Sequence, residues 1–159
     1  MKMNTRKTSW MYAACGMILL AGAAAFAYLL LMAREMIHVE PAMSAHAMGI
    51  YLYTVGAVVP CAAAVAMLTA VIREIGRECA FTAKNALLMR GVSGMAFLEC
   101  LYIIGGLIGW SGIGLMHPGV MILALALVLF GAGVGLLAWA LAALVDKASA
   151  IQQENDLTV

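Results

Sequence analysis

Four stretches of this chain, at about residues 10–33, 48–72, 87–110 and 119–145, are apolar for long enough to cross a bilayer. A hydrocarbon core of about 30 Å takes about 20 helical residues, so each stretch can span it. None alternates apolar and polar residues with the period of two that marks an outer-membrane strand. Each is therefore read as a helix, which satisfies its own backbone inside lipid. With 159 residues in all, little chain is left over for a water-soluble domain. Composition agrees: 65% of residues are hydrophobic and 11% charged, against about 25% charged in soluble proteins. The mean hydropathy is +1.02. These values exclude a secreted domain, a soluble enzyme and a disordered chain. The expected architecture is an all-α membrane protein: one four-transmembrane-helix bundle over residues 1–159, ending in a short polar tail at 146–159.

Lys2, Arg6 and Lys7 precede the first apolar run, as in a secretory signal. A signal's apolar region is about 7–15 residues long, and this run is longer, so it is read as an uncleaved helix. Lys and Arg also set the orientation. Lys2, Arg6 and Lys7, then Arg73, Arg77, Lys84 and Arg90, then Lys147 fall on one side, and only Arg34 on the other. Both termini are thus expected in the cytoplasm, with Trp10 and Trp110 at interfacial helix ends. Small residues recur at every fourth position in each span: Ala21 and Ala25, Ala62, Ala66 and Ala70, Gly105 and Gly109, Gly131 and Gly135. Such faces let helices approach closely in lipid. They serve either bundle closure or a homodimer seam, and their presence in every span favours closure.

Glu99 is the one ionisable group deep within a span. A carboxyl at that depth is costly, and it reads either as a proton- or cation-coupled site or as a neutral group whose hydrogen bond orders the bundle. Pro60 lies at a similar depth in the second span and leaves the Gly56 carbonyl without its helical donor. Gly22 and Gly131 are centred near the same level in the first and fourth spans. Glu99, Gly56 and Pro60 are accordingly expected to form a small polar site at the midplane. Cys15, Cys61, Cys79 and Cys100 contain no CxxC pair and read as reduced, apolar-behaving thiols.

His38, His46 and His117 all fall toward the side opposite the basic loops, with Glu35, Glu40, Met36, Met43, Met48 and Met116 nearby in sequence. Imidazole with thioether suits copper, and imidazole with carboxylate suits zinc. The same groups also fit a pH sensor, or merely the polar residues any outer loop must carry. No HxxxH spacing is present. Nothing in the sequence implies a cofactor, and no nucleophile–base pair marks an enzyme.

On the basic side, the loop between the second and third spans contains Phe81-Thr82-Ala83-Lys84-Asn85. Gly76 is placed to end the second helix. Thr82 is placed to cap the third, with Phe81 in the staple position before it. The tail turns polar abruptly at Asp146. If helical, it would align Ala148 and Ile151 with Leu144; otherwise it is a frayed, solvated end. Glu154 and Asp156 make its tip acidic, which disfavours direct contact with nucleic acid.

Two segments together resemble a known family. The run from Phe81 to Ala86, with Arg90 following, resembles the signature PFT-x-EN-x-x-x-LR, and the end from Gln153 to Val159 resembles EE-x-DLT(I/V). Both belong to the domain-of-unknown-function 2975 family of small bacterial four-helix membrane proteins. Ala80 stands where that family usually has Pro, Lys84 where an acidic residue is common, and Met89 where it has Leu. The resemblance implies a multi-pass protein of the bacterial cytoplasmic (inner) membrane with no established enzymatic activity. Its genes often neighbour one for a small helix-turn-helix regulator, which implies tethering or sequestration of a cytosolic DNA-binding protein. Phe81, Thr82 and Asn85 are then expected to order the loop, and Glu154, Asp156 and Leu157 to contact the partner. Alternatives are a small proton- or cation-linked transporter built around Glu99 and an outer-face metal or pH sensor.

Overall fold

The computed structural model describes residues 5–39, 41–77, 81–114 and 117–157, with the side chains of residues 5–8, 15, 153 and 155–157 excluded. Its elements are α1 (Thr5–Val39), α2 (Pro41–Ser44), α3 (Ala47–Gly56), α4 (Val58–Gly76), α5 (Ala83–Gly112) and α6 (Pro118–Leu157). Among the described residues there is no strand. Four spans are long and apolar enough to cross a membrane: Ser9–Val39, Ala47–Gly76, Ala83–Gly112 and Pro118–Gln152. The second span is made of α3 and α4, separated by a turn at Ala57. That break lies three residues before Pro60, whose ring and missing N–H interrupt the ladder at Gly56.

The centre of the bundle is the packing of α5 against α6, with α4 on the other side of α5. Small residues make this seam. On α5, Ala86, Ser93 and Cys100 are buried at intervals of seven; on α6, Ala142 and Ser149 continue the same interval from Gly135, and Ala138 is buried between. Seven-residue spacing keeps one narrow stripe facing the partner helix, and small side chains let the two backbones close up. Gly131 lies against the Cys100 thiol and Gly135 against the Phe97 ring. Cys100 Sγ also donates to the Val128 carbonyl at 3.4 Å. The turn between α5 and α6 passes through Gly114 at φ 72°, a left-handed conformation that glycine adopts without strain. Gly114 N–H donates to the Ser111 carbonyl at 3.1 Å and closes the helix end.

Three expectations change. Gly131 and Gly135 do close the bundle, but Ala21, Ala25, Ala62, Ala66, Gly105 and Gly109 are all exposed in the single chain. Gly22 is also open, with nothing near the position of a side chain, because α1 packs on α4, α2 and α3. Gly22 therefore makes no close approach to a neighbouring helix. Finally, of the two readings of the tail only the helical one remains: α6 continues without interruption through Asp146 to Leu157. Its 40 residues make a helix of roughly 60 Å, about twice the hydrocarbon thickness.

Candidate functional site

The polar residues of the spans meet where α3 and α4 join beside α5. Tyr53 of α3 and Tyr102 of α5 stack with ring centroids 4.7 Å apart and planes 7° from parallel. Each hydroxyl reaches the other helix's backbone. Tyr102 Oη donates to the Tyr53 carbonyl at 2.9 Å, and Tyr53 Oη donates to the Tyr102 carbonyl at 3.1 Å. This reciprocal clasp needs a side-chain-free position on each helix. Gly56 gives room for the Tyr102 hydroxyl, and Gly106 for that of Tyr53; a Cβ at either place would overlap it. Trp110 stands edge-on to Tyr53 at 6.3 Å and covers Gly49. Between α3 and α5 an open groove of about 650 Å³ runs over Gly105 and Gly109 toward Trp110.

Glu99 lies one turn before Tyr102 on the same helix, where residues three apart share a face. Its carboxyl interacts electrostatically with Tyr53, Cys61 and Cys100. Oε2 is buried and has no hydrogen-bond partner among the described residues. Pro60 is buried and Cys61 exposed. Gly56 and Glu99 thus belong to one neighbourhood, the one organised by the tyrosine clasp. The sequence reading singled out Gly56 and Glu99 but missed Tyr53 and Tyr102. The available signal was a tyrosine followed by glycine three or four residues later in two different spans.

A second constellation lies at the end where the chain passes from α4 to α5. Thr82, extended at φ −126° and ψ 149°, caps α5, and its hydroxyl accepts from the Asn85 N–H at 3.3 Å. Helix α5 consequently starts at Ala83. Asn85 is only 1% exposed, which leaves it unable to touch a docked partner, whereas Phe81 is 56% exposed. Lys84 Nζ donates to Glu74 Oε1 at 2.6 Å and ties α5 to α4. Arg90 pairs with Asp146 and ties α5 to α6. Beyond that pair, Ser149 is buried, and its hydroxyl donates to the Asp146 carbonyl at 2.8 Å. Ile151 and Glu154 are exposed on the continuing helix. Asp156 and Leu157 fall in its last turn, where the side chains lie outside the described residues, as do Glu78, Cys79 and Ala80 of the loop.

At the opposite end the histidines act locally. His38 lies in the last turn of α1. The His46 ring is 3.3 Å from the Ala42 carbonyl, and His117 Nδ1 accepts from the Gly119 N–H at 3.1 Å, next to Pro118 in the first position of α6. All three are exposed. Among the described residues no three His, Cys, Asp or Glu side chains come together as a metal site. Glu40 and Met116 lie outside the described residues.

An all-helical chain with four membrane-length apolar helices, closed by small-residue packing and an intramembrane aromatic clasp, is a multi-pass membrane protein. The family described as "Protein of unknown function (DUF2975)" matches residues 3–159, nearly the whole chain, and the protein belongs to that family. No curated protein and no solved structure matches it.

Proposed function

We propose that this is a non-enzymatic protein of the bacterial cytoplasmic membrane that binds or sequesters a small helix-turn-helix regulator. The distribution of Lys and Arg supports an orientation with both termini in the cytoplasm. The observation that carries this reading is the continuity of α6 into the tail, fastened beside the start of α5 by the Arg90–Asp146 pair and the burial of Ser149. A tail held in this way continues as a helix beside the start of α5. It presents Ile151 and Glu154 on the same end of the bundle as exposed Phe81. An ordered face with apolar anchors and an acidic tip suits a basic DNA-reading surface, which it would occupy in competition with DNA.

The test is purification from the host membrane of the full chain and of a form ending at residue 153, followed by mass spectrometry of the copurifying proteins. A small DNA-binding protein retained by the full chain and lost from the shortened one is the expected result. Equal retention by both removes the tail from the mechanism.

A second reading is favoured by the buried, unpartnered Glu99 Oε2 beside a broken helix: a proton- or cation-linked transport site. Glu99→Gln distinguishes the two. Under the regulator reading, partner retention and stability survive the substitution. A transport site instead loses its ion- or proton-dependent ligand binding.

A further inference from the structure

We propose that the cleft between α4 and the start of α5 holds one anionic phospholipid, a function separate from regulator binding and independent of that reading. The cleft measures about 440 Å³. Its inner wall is Ala66, Thr69 and Ala70, and its mouth is Arg73, Glu74 and Arg77 with Lys84 from α5. Three cations face one carboxylate, so two positive charges are in excess. Glu74 interacts electrostatically with all three cations and is hydrogen-bonded to Lys84. The two guanidinium groups of Arg73 and Arg77 supply paired N–H donors that match a phosphodiester.

The geometry favours a lipid over a soluble anion. Arg73 is the first residue beyond the apolar run at 48–72, which puts the basic mouth at headgroup level. Ala66 lies seven residues earlier, roughly 10 Å deeper along the helix. Ala66 and Ala70 leave a shallow trough on the face of α4. The Thr69 hydroxyl donates to the Val65 carbonyl at 2.8 Å, so the hydrogen of the wall's one hydroxyl is committed to its own helix. A headgroup phosphate at the mouth thus continues into a space shaped for the first methylenes of an acyl chain. The excess charge selects an anionic headgroup, because a choline or ethanolamine cation would face the arginines.

The experiment is native mass spectrometry of the full chain released from micelles containing equal amounts of phosphatidylglycerol and phosphatidylcholine. Wild type should retain phosphatidylglycerol preferentially. Arg73→Gln with Arg77→Gln should lower that retention roughly tenfold or more, the effect of removing two basic groups from an anionic surface. Arg34→Gln, which removes a charge in the α1 span away from the cleft, should leave it unchanged. Ala66→Leu alters no charge, lies at an exposed position of the cleft wall and should also weaken retention by filling the trough. Equal retention by the double arginine variant and by Arg34→Gln overturns the proposal. So does displacement of the lipid by free glycerol phosphate with no effect of Ala66→Leu, which would assign the mouth to a soluble anion. If the double variant does not fold, Ala66→Leu and the headgroup competition decide the matter.

Discussion

Replacing Gly106 with alanine places a methyl group in the space of the Tyr53 hydroxyl and ring, with Cε2 only 2.6 Å away. A flexible chain end could yield by a small rotation, but a phenol ring moves as a rigid plate, so the whole side chain must leave its stack. That forfeits the pairing with Tyr102 and the hydrogen bond from Tyr53 Oη to the Tyr102 carbonyl, whereas the bond from Tyr102 Oη ends on the Tyr53 backbone and does not need the ring. Aromatic pairing contributes about 0.5–1.5 kcal/mol, and each hydrogen bond inside a membrane averages about 0.6 kcal/mol. The loss is therefore roughly 1–2 kcal/mol, reduced by the gain of up to about 1 kcal/mol that alanine brings to a helix interior. Gly105 is the internal control. It is the adjacent residue, and a Cβ there meets nothing within 4 Å, so Gly105→Ala should be neutral or slightly stabilising. Reversible unfolding in mixed micelles, followed by helical circular dichroism, compares the two variants directly. A cycle with Tyr53→Ala completes the test: once the ring is gone, Gly106→Ala should cost nothing further. Equal stabilities for Gly106→Ala and Gly105→Ala would refute the clasp as a source of stability.

Other outcomes follow from the same packing. Thr82→Ala should cost about 0.5–1 kcal/mol, the low end of the range for a lost N-cap, because the hydrogen bond to Asn85 N–H is long at 3.3 Å; Thr82→Ser should recover it in the same unfolding assay. Ala142 is fully buried in the α5–α6 seam, so Ala142→Leu should destabilise by about 1–3 kcal/mol or more. Leu141→Ala, at a 48% exposed neighbouring position, should change the unfolding midpoint far less.

How legible all this was depends on the length scale of each signal. The four spans are written in predominantly apolar runs of more than 20 residues, and no tertiary context is needed to read them. The same holds for local backbone chemistry: Thr82 caps α5, Gly76 ends α4, and the second span breaks three residues before Pro60. The tail stayed open between a helix and a frayed end because Asp146 marks where the polarity changes, and polarity reports the membrane boundary and not the helix end. Residues 146–157 hold no Gly or Pro and several good helix formers, and that was the better guide. The seam was half visible. Gly131 and Gly135 stood out at fourfold spacing, but Ala86, Ser93 and Cys100 look unremarkable until their interval of seven is set against Ala142 and Ser149. Tyr53 and Tyr102 were missed for a deeper reason. Each becomes a clasp only through the register of α3 against α5, which fixes a glycine opposite each hydroxyl, and no window on one helix contains that register.

The central claim is that the α4–α5 loop and the end of α6 form one face for one soluble partner. A photo-crosslinking residue placed at Phe81 in one strain and at Ile151 in another tests it most directly, in living cells with the full chain. The account predicts adducts of the same small DNA-binding protein from both positions, with a position at Leu129 in the lipid-facing part of α6 giving none. Adducts with different proteins, or none from either position, would contradict it.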